Sequence, residues 1–152
     1  MNSSLSVVLI VGLIAGTLDI ADALIFSALR GTMPKTVFQY IASGLIGPAS
    51  FRAGSASIVL GLVLHFVIAL IWTAIFYAAS RKLSILYRRP VISGLLYGVI
   101  VYLIMNWVVL PLSRIPHPRN PITLASRING VLAILFCIGL TISLLIRKYA
   151  GK

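Results

Sequence analysis

The sequence predicts an all-α integral membrane protein: a bundle of four transmembrane helices with a short interfacial or re-entrant helix between the first two. Three observations carry this. Of 152 residues, 60% are hydrophobic and 10% charged, against about 45–50% apolar and ~25% charged in a soluble domain. Mean hydropathy is +1.08. Four apolar runs, 6–29, 56–80, 91–112 and 121–146, reach the roughly 20 residues a helix needs to cross a bilayer. A backbone in lipid must satisfy its own hydrogen bonds, and alternating β-barrel segments are absent, so helices are the architecture expected. Nearly all of residues 1–152 is needed for spans, which makes one domain.

The first run, SVVLIVGLIAGTLDIADALIFSAL, contains both acidic residues of the chain, Asp19 and Asp22. A charge inside a span costs at least ~2.5–3.5 kcal/mol on insertion scales, so an intramembrane carboxyl points to function. Ala21-Asp22-Ala23 has the small-x-small look of a signal-peptide cleavage site. Residues 2–5 carry no positive charge, however, and the apolar run is long for such a peptide, so a retained span is expected.

Segment 34–47, PKTVFQYIASGLIG, is too short to span. Val37, Phe38, Ile41 and Leu45 fall on one helical stripe, with Lys35, Gln39 and Ser43 elsewhere, which suggests an interfacial or re-entrant helix. Gly47-Pro48 breaks it. Pro90 suits the start of the third helix. Asn120-Pro121 reads as N-cap and first residue of the fourth.

Thirteen Lys and Arg residues give a net charge of +11. They flank apolar runs, where they anchor and orient spans, and no basic stripe lies on a soluble face; nucleic acid is not an expected partner. With four spans, Arg81, Lys82, Arg88, Arg89, Arg147, Lys148 and Lys152 share one side. Arg30, Lys35, Arg52, Arg114 and Arg119 share the other. Seven against five predicts both termini in the cytoplasm. Cys137 is the single cysteine, so no intramolecular disulfide forms.

This topology gathers the intramembrane polar residues in the outer leaflet. Asp19 and Asp22 lie in the outer half of helix 1. His65 lies about ten residues into the second span, ~15 Å by helical rise. Asn106 lies in the last two turns of the third span; Arg127 and Asn129 lie in the second and third turns of the fourth. These six are the candidate ligand-binding or proton-handling residues. The proline-rich loop SRIPHPRNP would cover them, and with Arg30 and Arg52 it makes the outer mouth basic. That mouth suits lipid headgroups or an anionic ligand.

Gly12 and Gly16, and likewise Gly94 and Gly98, have the Gly-xxx-Gly spacing that lets helix backbones approach closely. Gly12, Gly16, Asp19 and Ala23 lie within about 60° of one another on a helix, so the acids share the small-residue face. Two readings of the acid pair stand. In one, an Asp pairs with Arg127 and the other bonds a Ser, Thr or Asn, closing an interhelical clasp. In the other, two carboxyls on one face form a protonatable or cation-binding site. His65 and Asn106 likewise read either as interhelical hydrogen bonders or as site residues. No spacing supports a metal site, and no nucleophile elbow, P-loop or dinucleotide fingerprint is present; no cofactor is implied. A membrane enzyme on a lipid-linked substrate would have to rely on Asp19, Asp22 and His65.

The strings GTLDI (16–20), IASGLIG (41–47), LGLVLHFVIAL (60–70) and YGVIVYLIMNWVVLPLS (97–113) together resemble a group of short bacterial four-span inner-membrane proteins. The resemblance covers most of the chain to Ser113 and implies a bacterial inner membrane and four helices. That group brings no activity to carry over. Function is therefore expected from the polar layer: binding or translocation of a small ligand, ion or lipid headgroup. The alternative is a structural or accessory subunit whose polar residues are clasps and whose glycines dock a partner. Lipids, and a second copy or a partner membrane protein, are the expected company.

Overall fold

The computed structural model describes residues 4–116 and 122–150. Among these residues all regular structure is helical. Four helices are long and apolar enough to cross a membrane: α1 (Ser4–Leu29), α3 (Gly54–Lys82), α4 (Pro90–Leu112) and α5 (Leu124–Tyr149). The short helix α2 (Pro34–Ile46) and a 3-10 segment (Gly47–Phe51) join α1 to α3. A single helical turn, Ile85–Arg88, joins α3 to α4.

Local chemistry sets these limits. Pro34 and Pro90 stand in the first turns of α2 and α4, where a missing N–H costs no intrahelical bond. Gly47 ends α2 at φ +68°, a conformation that suits glycine; Gly47-Pro48 then continues as 3-10 structure rather than simply breaking. The fourth span starts later than expected. Thr123 is its N-cap, its side chain accepting from Ser126 N at 3.3 Å. The expected cap at Asn120-Pro121 lies outside the described residues. α4 widens into a π turn over Met105–Val109, just before Pro111. Proline there removes a donor and crowds the preceding turn, a common cause of such a bulge.

The glycine spacings serve packing within the chain. A Cβ at Gly12 would sit 2.6 Å from Leu70, and one at Gly16 would sit 3.0 Å from Ala69 and Phe66, so α1 lies close on α3. A Cβ at Gly94 would meet the Gly139 carbonyl and Leu140 at 2.9 Å, and one at Gly98 would meet Leu135 at 2.7 Å. Gly139 completes this second crossing, with no room for a side chain between the Gly94 carbonyl and Gly98. All four expected packing glycines thus sit at crossings inside the bundle, α1 on α3 and α4 on α5, rather than on a face left for a partner.

The bundle is solid at one end and hollow at the other. Val7, Val11 and Ala15 of α1, Trp72 and Phe76 of α3, Val101 of α4 and Ile138, Ile142 and Ile146 of α5 form the core. These lie toward the end that carries the two termini. Tyr97 of α4 crosses to α3, packing edge-on against Trp72 and Phe76 and donating to the Trp72 carbonyl. Ser143 of α5 donates to the Pro90 carbonyl at 2.8 Å. The other end is covered by α2 and the start of the α4–α5 loop, which Arg114 N ties to the Gly44 carbonyl at 3.0 Å.

α2 buries small and polar residues most deeply; of its apolar stripe, Val37, Phe38 and Ile41 are half-buried and Leu45 is exposed. Gln39, Ala42 and Ser43 are its buried residues, while Tyr40, Leu45 and Ile46 are exposed. Its backbone closes directly on α3: a Cβ at Gly61 would collide with the Phe38 carbonyl. The most deeply buried groups of α2 are thus small or polar, unlike those of a helix laid on a water-soluble domain.

Candidate functional site

The hollow end encloses a cavity of about 330 Å³. Every long helix contributes to it: Asp19 from α1, His65 and Trp72 from α3, Val101 and Met105 from α4, Ile134 and Ile138 from α5. Tyr40 and Leu45 of α2, with Ser113 and Ile115 of the loop, line its outer end. By helical rise, Asp19 and His65 stand about 15 Å from the α2 end of their helices, near mid-depth of the bundle. The remaining wall is almost wholly apolar.

The polar residues of the predicted layer divide into three groups. Asp22 is closed off. Asn129 Nδ2 donates to Asp22 Oδ2 at 2.8 Å, joining α5 to α1. The expected Asp–Arg127 ion pair does not form: Arg127 is exposed and borders a shallow groove with Ile128, Val131 and Leu132. Two residues along a helix are about 200° apart, so α5 cannot turn both 127 and 129 toward α1. Asn106 is turned inward on its own helix. It lies within the π turn and its Nδ2 donates to the Tyr102 carbonyl at 2.9 Å, where sequence suggested a bond across helices.

Asp19 and His65 meet the cavity. His65, 9% exposed, places Nε2 2.8 Å from the Gly16 carbonyl of α1. A carbonyl only accepts, so Nε2 carries a proton and Nδ1 is the ring's one uncommitted polar atom. This bond is possible because Gly16 lets α3 approach; a larger residue would hold the ring away. Among the described residues the Asp19 carboxylate makes no hydrogen bond and no ion pair. The tyrosine hydroxyl of Tyr40 is likewise unbonded there. Ser113 is satisfied, donating to the Leu110 carbonyl at 2.7 Å and accepting from Ile115 N at 3.4 Å. The acid–base contact that a membrane enzyme would draw on, His65 bonded to an Asp, is not made; the ring is held by backbone instead.

Sequence reasoning missed Trp72, Tyr40 and Met105 as lining residues and Gly139 as a packing residue. Trp72 and His65 fall on one helical face, which was visible; that the face borders a cavity was not. Gly139 shares its helix with Gly130, nine residues away, so no second glycine at four-residue spacing marked it.

Comparison with protein-family models, with curated proteins and with solved structures finds no match for this chain.

Proposed function

We propose that this chain is a multi-pass protein of a bacterial inner membrane, termini in the cytoplasm, that binds a small amphipathic ligand in a cavity within the bundle. Four long apolar helices support the membrane setting. So do the exposed Leu9, Leu13, Leu18, Val63, Ile71, Leu96, Ile100 and Leu132, which would be unfavourable in water and suit lipid. α2 buries Ala42 and Ser43 and leaves Leu45 and Ile46 exposed, which suits a helix immersed in the membrane. The excess of basic residues on the side of the termini makes that side cytoplasmic. The cavity then opens toward the outer leaflet. The quoted strings that resemble short bacterial inner-membrane proteins support the localisation.

The observation that carries the binding reading is Asp19. A carboxylate inside an apolar bundle, with no hydrogen bond among the described residues, borders a cavity large enough for a ligand. Charges in such places are rare and mark substrate or ion paths.

Trp72 lines the cavity and Trp107 is 75% exposed, so Trp107→Phe leaves a single tryptophan that reports on the site. In nanodiscs, 8-bromooctanol, whose bromine quenches indole, is expected to quench Trp72 saturably. Filling the cavity with Leu64→Phe and Ile68→Phe together is expected to remove the saturable part. Quenching that rises linearly with probe in both proteins overturns the reading.

A second reading rests on its own observations. Asn129 on Asp22 and His65 on Gly16 are interhelical joins, as in a structural or accessory subunit working with a second copy or another membrane protein. It accounts for those two joins and leaves Asp19 unexplained.

A further inference from the structure

We propose that the cavity is selective for a primary ammonium group carried on a short apolar body; this rests on the binding reading above and specifies its ligand class. The reasoning starts from what the wall offers. Among the described residues its uncommitted side-chain polar atoms are the Asp19 carboxylate, Nδ1 of His65 and the Tyr40 hydroxyl. The carboxylate oxygens and an unprotonated Nδ1 are acceptors, and the phenol can accept. Among the described residues no Lys or Arg lines the cavity. The described wall therefore presents one carboxyl group and a set of acceptors, with no Lys or Arg to balance them.

Each ligand class meets that wall differently. An anion would face Asp19 with no counter-charge, and a charge buried without a partner is strongly unfavourable. A small inorganic cation would have to shed its water into a wall with few oxygens, whereas such ions take six or more oxygen ligands or keep their waters. A neutral apolar molecule fits the wall but leaves the carboxylate unpaired. A primary ammonium supplies three N–H donors and the missing charge. The aromatic rings of Trp72 and Tyr40, which line the same space, also favour a cation. Size sets the body. At roughly 30 Å³ per water-sized group, a 330 Å³ cavity holds about eleven such groups, an alkyl chain of eight to ten carbons with its amine.

The test compares 8-bromooctylammonium, 8-bromooctanol and 8-bromooctanoate as quenchers of Trp72 in the Trp107→Phe protein, in phosphatidylcholine nanodiscs. Partition of each probe is measured on empty discs and subtracted. The ammonium is expected to bind at least tenfold more tightly than the alcohol, and the carboxylate not measurably. Asp19→Asn is expected to weaken the ammonium tenfold or more while leaving the alcohol within twofold, which also shows that the variant is folded. Should that variant not fold, the parent's ranking of the three probes decides. Equal affinity for ammonium and alcohol, tighter binding of the carboxylate, or an Asp19→Asn protein that keeps the ammonium preference overturns the proposal and leaves the binding reading intact. Failure of every probe to saturate overturns both. Discs containing phosphatidylethanolamine separate the two sources of the group. Competition by that lipid assigns a headgroup ammonium, and unchanged binding assigns a free amine.

Discussion

Asn129 of α5 donates its side-chain amide to the Asp22 carboxylate of α1 at 2.8 Å, across 107 residues of chain. Asp19, one helical turn earlier, has no such partner among the described residues and borders the cavity. Two acids that look equivalent in the sequence therefore have different surroundings. One joins helices and the other is available to a ligand.

Asn129→Leu is expected to destabilise the protein by roughly 1–3 kcal/mol, because it leaves the Asp22 carboxylate without its donor. Arg127→Leu, at an exposed position, is expected to change stability by less than about 0.5 kcal/mol. Reversible unfolding in mixed micelles checks both. The reverse ranking would mean that Arg127, not Asn129, holds α1 to α5. The double variant Asp22→Leu, Asn129→Leu is expected to recover much of the loss, since removing both partners is milder than stranding one.

Gly139→Ala and Gly130→Ala make the same chemical change in one helix with opposite expectations. At Gly139 a methyl group would collide with the backbone of Gly94 and Gly98, which cannot move aside as a side-chain end can. A loss of about 3 kcal/mol or more is expected, at or above the usual overpacking cost. At Gly130 nothing lies within 4 Å, and alanine is expected to be neutral or to stabilise by up to ~1 kcal/mol. Thermal unfolding of the two proteins side by side measures the difference.

Gly61→Ala tests how α2 is seated. The methyl group would push on the Phe38 carbonyl, where the backbone of α2 lies directly on α3. Amide hydrogen exchange over Pro34–Ile46 is expected to accelerate at least tenfold, while the α4–α5 crossing keeps its protection. Equal acceleration in α4 and α5 would mean that α2 does not open independently of the bundle.

The four long helices were legible because hydropathy over some 20 residues needs no knowledge of neighbours. The start of α4 was legible because Pro90 marks it, whereas the cap of α5 at Thr123 was not read. The orientation of α2 was not legible. An apolar stripe indicates burial only when the alternative is water; where the alternative is lipid, small residues such as Ala42 and Ser43 face protein instead. The layer containing Asp19, Asp22, His65 and Asn129 was legible from topology alone, since equal rise per residue fixes depth. Which of its members touch was not, because contact depends on how each helix is rotated.

By itself, then, the sequence determined the number and approximate length of the long helices and how far along its helix each polar side chain stands; these follow from chain-local quantities, apolar length and rise per residue. Only the tertiary structure decided rotation and separation. Rotation pointed Asn129 rather than Arg127 at Asp22, and turned Asn106 back on Tyr102. Separation brought α1 to α3 at Gly16, where His65 bonds the backbone, and left the bundle open beside Asp19. Both depend on side-chain volumes summed across facing helices, which no single helix encodes.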